Sequence, residues 1–452
     1  MNVHFIAIGG SAMHNLALAL HHKGYSVTGS DDEIFEPALS RLSGFGLLPP
    51  STGWFPEKLS AGTDAVILGM HARSDNPELL KAKELGLKIF SYPEYLYEQS
   101  KDKIRIVIGG SHGKTSITAM ILHVLKYAGI ETDFMVGAQL EGFDVMVKLS
   151  ETARFMVFEG DEYLTSALDP RPKFHLYMPD IALISGIAWD HVNVFPTFEN
   201  YRDQFRIFAG LVPPGGKLIY CADDSEVTTV IQSAGSDMKT IPYYTPDYYV
   251  KDGVTILKKN YRQVALKIFG RHNMMNLEGA RLVCEAMGVS ENTFLDAIES
   301  FNGASKRLEC LAKGSTCNVY KDFAHSPSKL KATINAVKEQ FPERRLVAVM
   351  ELHTYSSLNK NFLSEYKGSM ENADLAVVFF SRHALDLKRL PVFSSNDVSK
   401  AFVRDDIQVF TEKEELLNFL AKQHWENMNL LLMSSGNFDG MNLPELAAEI
   451  IR

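Results

Sequence analysis

The chain has 452 residues, too many for one hydrophobic core, and at about 100–200 residues per domain three domains are expected. Hydrophobic residues at 46% and charged residues at 22% exclude a disordered polymer and fit a soluble globular protein. A formal net charge of −9 argues against a nucleic-acid groove, so an anionic ligand has to be met by local loops. The start of the chain carries no basic leader and no long apolar run, which makes a cytoplasmic setting without a membrane partner the expectation. Cys221, Cys284, Cys310 and Cys317 show no metal-ligand spacing and read as reduced packing residues.

From the amino end, residues 3–8, 26–29, 65–68 and 88–90 read as strands, and residues 13–22 and 77–85 as helices. This alternation predicts a doubly wound βαβ domain over residues 1–102. Its first turn, Gly9-Gly10-Ser11-Ala12-Met13-His14, is an incomplete dinucleotide fingerprint that places a diphosphate at a helix start. Ser30 and Asp31, just past the second strand, stand where an acidic residue takes ribose hydroxyls.

Residues 103–303 open with the most telling stretch, a β-branched strand running into Gly110-Ser111-His112-Gly113-Lys114-Thr115-Ser116. Its glycines let several N–H groups face one polyphosphate, Lys114 can reach the β- and γ-phosphates, and Thr115 can ligate Mg²⁺. The glycine that the full phosphate-loop pattern wants five residues before Gly113 is Ile108, so the loop is a shortened variant. Two further strands end in charged residues: 155–158 in Glu159-Gly160-Asp161-Glu162, and 181–184 ahead of Trp189-Asp190-His191. In a parallel sheet both open at the edge that carries the phosphate loop, so Glu159 is the expected Mg²⁺ carboxylate and His191 a second metal ligand or water orienter. His272, Asn273 and Asn276 precede an expected helix over 277–287, and the two asparagines could present amides to a base or cap the helix.

Residues 304–452 again alternate strands (318–321, 346–350, 375–380, 408–410, 430–433) with helices, including one over 328–340. Asp322 and His325 lie just past the first of these strands, and a polar turn from Met433 to Gly440 follows the last.

Taken in order, these motifs resemble the Mur ligase family across the whole chain. The resemblance implies a Rossmann-like first domain, a central P-loop ATPase-like domain and a C-terminal Rossmann-like α/β domain. It implies an ATP- and Mg²⁺-dependent amide ligase with UDP-N-acetylmuramate as one substrate and a peptide or L-alanine as acceptor, working as a monomer or weak homodimer. The runs Asp161-Glu162-Tyr163 and Asp169 to Phe174 favour the branch that adds L-alanyl-γ-D-glutamyl-meso-diaminopimelate, with the alanine-adding branch as the alternative. By the same resemblance Lys114 holds the β- and γ-phosphates, Thr115, Glu159 and His191 the metals, and His272, Asn273 and Asn276 face adenine. Arg307 takes the phosphates, Asp322 the ribose, His325 the phosphate side, and His112 the sugar substrate. The lysine that some members carbamylate corresponds to Phe205, and Leu352-His353 lack the arginine with which the peptide-adding branch meets its acceptor.

Overall fold

Continuous apolar runs make parallel strands, because a parallel sheet is covered on both faces and leaves no position for a polar residue to alternate. The computed structural model describes every residue except Ala167, Ser236, Asp237 and Arg389, and only the backbone of Leu387. The described residues fall into two compact units, one of residues 1–187, 202–243 and 279–290, the other of residues 188–201, 244–278 and 291–452.

The first unit carries two sheets. One is four-stranded and parallel, in the order Ser26–Ser30, Asn2–Ile6, Ala65–Leu68, Ile89–Ser91. Its strand residues Ile6, Val66 and Leu68 pack with Leu79 and Ala82 of the helix Pro77–Glu84. That helix is begun by Asn76, whose side chain accepts the N–H groups of Glu78 and Leu79. The other sheet has seven strands, and at its centre Ile104–Gly109 lies between Ile181–Ile184 and Phe155–Glu159, all parallel. Ile108 pairs with Glu159 and Gly109 with Ile184, so three strand ends open side by side as expected. The two sheets meet within this unit, where Asn15 accepts from the Met146 N–H at 3.4 Å and Arg171 donates to Glu94 at 2.9 Å.

The second unit holds a six-stranded sheet ordered Glu309–Lys313, Asn318–Asp322, Met428–Met433, Arg345–Glu351, Leu375–Phe379, Gln408–Phe410. Period two divides its core: Leu346, Ala348 and Met350 face Leu330, Ile334 and Val337, while Val347 and Val349 face Leu416, Leu420 and Leu446. A three-stranded antiparallel sheet, Tyr248–Lys251, Val254–Lys259 and Arg262–Leu266, also belongs to this unit and was not expected from the sequence.

The α/β fold class stands as expected, with adjustments at element ends. The helix expected over 277–287 begins at Arg271, after Gly270 at φ +86°, which puts Asn273 and Asn276 on helix rather than loop. Phe205 is fully buried edge-on to Phe174, 5.4 Å between ring centres, and serves the core. Three cysteines are buried as packing residues, but Cys310 is exposed. No helix among the described residues is long and apolar enough to cross a membrane.

Candidate active site

The strand Ile104–Gly109 runs into the loop and out into the helix Lys114–Tyr127. Gly113 takes φ +81° as the residue before the helix and Gly110 takes φ +139°, conformations in which a side chain would be strained. Gly110 is also closed in by Ser185, whose hydroxyl donates to the His112 carbonyl. Ser111 donates its N–H and its hydroxyl to the Gly186 carbonyl, at 3.0 and 3.2 Å, and the His112 ring lies against Gly186. The neighbouring strand end thereby sets the shape of the loop. Ser116 is buried on the first helical turn.

Thr115 donates its hydroxyl to Glu159 at 2.6 Å, and the other oxygen of Glu159 accepts the Gly137 N–H at 2.8 Å. Two hard oxygen donors therefore stand together beside the loop. No group of three His, Cys, Asp or Glu side chains able to hold a metal occurs among the described residues. That donor set fits Mg²⁺ held with nucleotide, since Mg²⁺ takes one or two protein oxygens and completes its shell with water and phosphate. Lys114 donates to the Gly110 carbonyl at 2.6 Å and pairs with Glu162. Burial alone would lower the Lys114 ammonium, but Glu162, Asp161 and Glu159 outweigh it and hold it above its ordinary value. Asp161 is paired in turn with Lys173 at 2.6 Å.

The first-domain loop has a different make-up. Gly10 precedes the helix Ser11–His22, so Ser11, Ala12 and Met13 supply its opening N–H groups. The Gly9 N–H donates to Asp31 at 2.7 Å. Burial pushes the Asp31 carboxyl up to about 6, against the pull of that N–H. Ser30 is fully buried and accepts from Lys58, which also reaches the Gly29 carbonyl, both at 3.0 Å. His14 turns inward: its Nδ1 bonds the Gly10 carbonyl at 2.9 Å, and burial lowers its pKa.

The remaining expected residues lie in the second unit. Asp190 sits beside Lys329 at 3.3 Å and His325 at 3.7 Å, and its Oδ1 accepts the His191 N–H at 2.8 Å. Burial would raise the Asp190 carboxyl, but Lys329 first and the histidines next hold it well below the usual range. His325 is lowered by burial and by Lys329, and its Nδ1 bonds the Phe323 carbonyl at 2.8 Å. Asp322 is buried and pushed up to about 6, while Arg307 pulls the other way and stacks on Phe323 at 4.6 Å. Asn273 and Asn276 are buried, and Asn273 spends an amide N–H on the Phe269 carbonyl at 2.9 Å. His272 is on the first turn of the same helix.

Lys114, Thr115 and Glu159 are thus brought together in one unit, and Asp190, His191, Asp322 and His325 belong to the other. Sequence reasoning missed Glu162 and Lys173 as partners, and Lys329 altogether. A lysine near the start of the helix Pro327–Gln340, three residues past Ser326, was the available sign of a cation facing the strand end.

Three family models tile the chain: Mur ligase family, catalytic domain, over residues 2–103; Mur ligase middle domain over 108–284; and Mur ligase, glutamate ligase domain, over 306–436. The chain belongs to the Mur ligase family and is an ATP-dependent ligase. Among similar proteins, a UDP-N-acetylmuramate–L-alanine ligase from Sulfurihydrogenibium sp. is 32% identical over 83% of this chain and 82% of its own length. A solved UDP-N-acetylmuramate-alanine ligase from Thermotoga maritima covers 100% of this chain and 98% of that one at 21% identity and a TM-score of 0.69. A solved murein peptide ligase from Psychrobacter arcticus covers 100% and 99% at 23% identity and a TM-score of 0.64. At those identities the two structures speak for the fold alone.

Proposed function

We propose that the chain uses ATP to join the lactyl carboxylate of UDP-N-acetylmuramate to an amine, with residues 1–102 holding the UDP-sugar, 103–303 the nucleotide and 304–452 completing the ligase. The observation that carries this reading is the trio of Lys114 with the buried Thr115 and Glu159 at the end of a central parallel strand. A carboxylate is a poor electrophile with no leaving group. Transfer of the γ-phosphoryl group to it makes an acyl phosphate, which the amine attacks with loss of phosphate. Lys114 and the loop N–H groups spread the charge that develops on the transferring group, and Mg²⁺ held by Thr115 and Glu159, with His191 for a second ion, adds to that neutralisation when bound. Gly9 to Met13, Ser30 and Asp31 hold the UDP, and His112 faces the sugar. Asn273, Asn276 and His272 lie along adenine, with Arg307, Asp322 and His325 on ribose and phosphates.

L-Alanine is the acceptor that sequence similarity supports, since the relative from Sulfurihydrogenibium sp. is a UDP-N-acetylmuramate–L-alanine ligase. The tripeptide L-alanyl-γ-D-glutamyl-meso-diaminopimelate is favoured by the chain's own Asp161-Glu162-Tyr163 and Asp169 to Phe174 runs. Phosphate release from ATP, with UDP-N-acetylmuramate and Mg²⁺ present, tests both. Stimulation by L-alanine alone establishes the first reading, stimulation by the tripeptide alone the second, and release that ignores every amine refutes amide ligation.

A further inference from the structure

The phosphate-loop lysine already has an anion. Lys114 is 15% exposed and its partner Glu162 only 1%, and their contact is direct. Glu162 is a placed residue rather than a passing contact, because the backbone on either side of it is pinned. Asp161 accepts the Tyr163 N–H on Oδ1 at 3.2 Å, its Oδ2 pairs with Lys173 at 2.6 Å, and its carbonyl accepts the Phe174 N–H at 3.1 Å. The Tyr163 carbonyl accepts the Lys173 N–H at 3.0 Å, closing the loop on itself. The carboxylate is held against an ammonium that, on the reading above, must contact the β- and γ-phosphates.

We propose that Glu162 is a positioning residue that stands in for the nucleotide's phosphates, holding the Lys114 ammonium in place at the loop and giving way when ATP enters. The inference rests on the phosphate-loop reading and adds a competitor to it. A polyphosphate and a buried carboxylate cannot share one ammonium without like-charge repulsion. Binding therefore exchanges one anion for another, with no covalent change, and part of the Lys114–phosphate attraction is offset by the lost Lys114–Glu162 pair. The pair also keeps Lys114 from being a desolvated, unpartnered cation between turnovers.

The sign of the effect separates this role from a merely structural one, since a damaged loop binds ATP more weakly and a loop freed of its competitor binds it more tightly. Calorimetric titration of ATP and Mg²⁺ into the full chain, without UDP-sugar, is the test. Glu162→Gln should tighten ATP binding about tenfold, the value of one charge-assisted hydrogen bond, while lowering the melting temperature of the empty protein. Glu162→Asp, which keeps the charge and retracts it by a methylene, should move the same way by a smaller factor and serves if the glutamine variant does not fold. In a Lys114→Met background, Glu162→Gln should tighten ATP binding by a clearly smaller factor than in the wild-type chain, because the competition for the ammonium is gone and only the direct carboxylate–phosphate repulsion is relieved. Equal or weaker binding by both Glu162 variants overturns the proposal. A wild-type chain that binds no ATP at all overturns the phosphate-loop reading itself.

Discussion

Two glycine turns in this chain do the same topological job with opposite electrostatics. Both follow a strand with parallel neighbours and open a helix, at Gly113-Lys114 and at Gly10-Ser11. The Lys114 turn is built around a cation whose anions are supplied by Glu162 and by neighbouring acids that keep it charged. In the Gly10 turn the nearest partner is acidic instead: Asp31 takes the Gly9 N–H, and burial pushes its carboxyl up to about 6. A turn that must stabilise the charge developing on a transferring phosphoryl group needs a cation held in place. A turn that only holds a diphosphate can use helix N–H groups and leave an acidic side chain for the sugar hydroxyls. On the function proposed above, transfer falls to the first turn and recognition to the second.

The largest effect that would break this comparison is Lys114→Ala. Loss of the cation should lower ATP turnover by about a thousandfold, the scale of removing one transition-state charge contact, while affinity for UDP-N-acetylmuramate stays within about twofold. Phosphate release and calorimetry on the same preparation read both. Turnover within tenfold of wild type would show that the loop does not handle the transferred phosphate.

How far the sequence reveals these turns depends on the distance between partners. Lys114, Thr115 and their glycines are contiguous, and a strand before with a helix after makes the loop readable without a structure. Glu159 was legible as the end of an apolar strand. Glu162 as the lysine's partner was not, since 48 positions separate them and only the register Ile108 to Glu159 brings the two strand ends level. Lys329 and Asp190 are 139 positions apart, and their pairing depends on the packing of the second unit. The antiparallel sheet from Tyr248 to Leu266 escaped for a different reason. Its strands carry Tyr248, Lys251, Lys258, Lys259 and Arg262 and only a thin buried stripe at Thr255, Leu257, Val264 and Leu266, a weak period-two signal.

A middle-sized effect belongs to Asp31. Its folded value near 6 lies above the ordinary value of about 4, so between those pH values the folded chain holds a proton that the unfolded chain has lost. The group's favourable contribution is full below about pH 4, declines as pH rises, and above about pH 6 has become a constant penalty for a buried charge. Asp31→Asn should therefore stabilise the chain at pH 7.5 by about 2 kcal/mol and leave it nearly unchanged at pH 4, as read by urea unfolding. The same variant should weaken UDP-N-acetylmuramate by about tenfold through the lost bonds to sugar hydroxyls. An equal stability change at both pH values would mean that the carboxyl is not carrying a burial penalty.

The smallest effect expected is at His14, which stands where a dinucleotide fingerprint has a small residue. Nδ1 faces the Gly10 carbonyl at 2.9 Å and Nε2 faces the Asn15 amide at 3.0 Å. A carbonyl requires a donor and an amide N–H requires an acceptor, so the network assigns the neutral tautomer with its proton on Nδ1. Burial, which lowers the pKa of the ring, favours that uncharged form. No N–H is left to meet a diphosphate, and the ring acts on the turn only by holding the Gly10 carbonyl away from it. His14→Gln should cost about 1 kcal/mol of stability, one net hydrogen bond, and change UDP-N-acetylmuramate affinity by less than about threefold. That affinity should also be the same at pH 5.5 and pH 8 to the extent that His14 governs it, because a ring already committed on both nitrogens gains nothing from the ligand by taking a second proton. A tenfold loss in the variant, or wild-type binding that tightens at low pH and loses this dependence on substitution, would make His14 an anion ligand and bring the two turns closer in kind than their charges suggest.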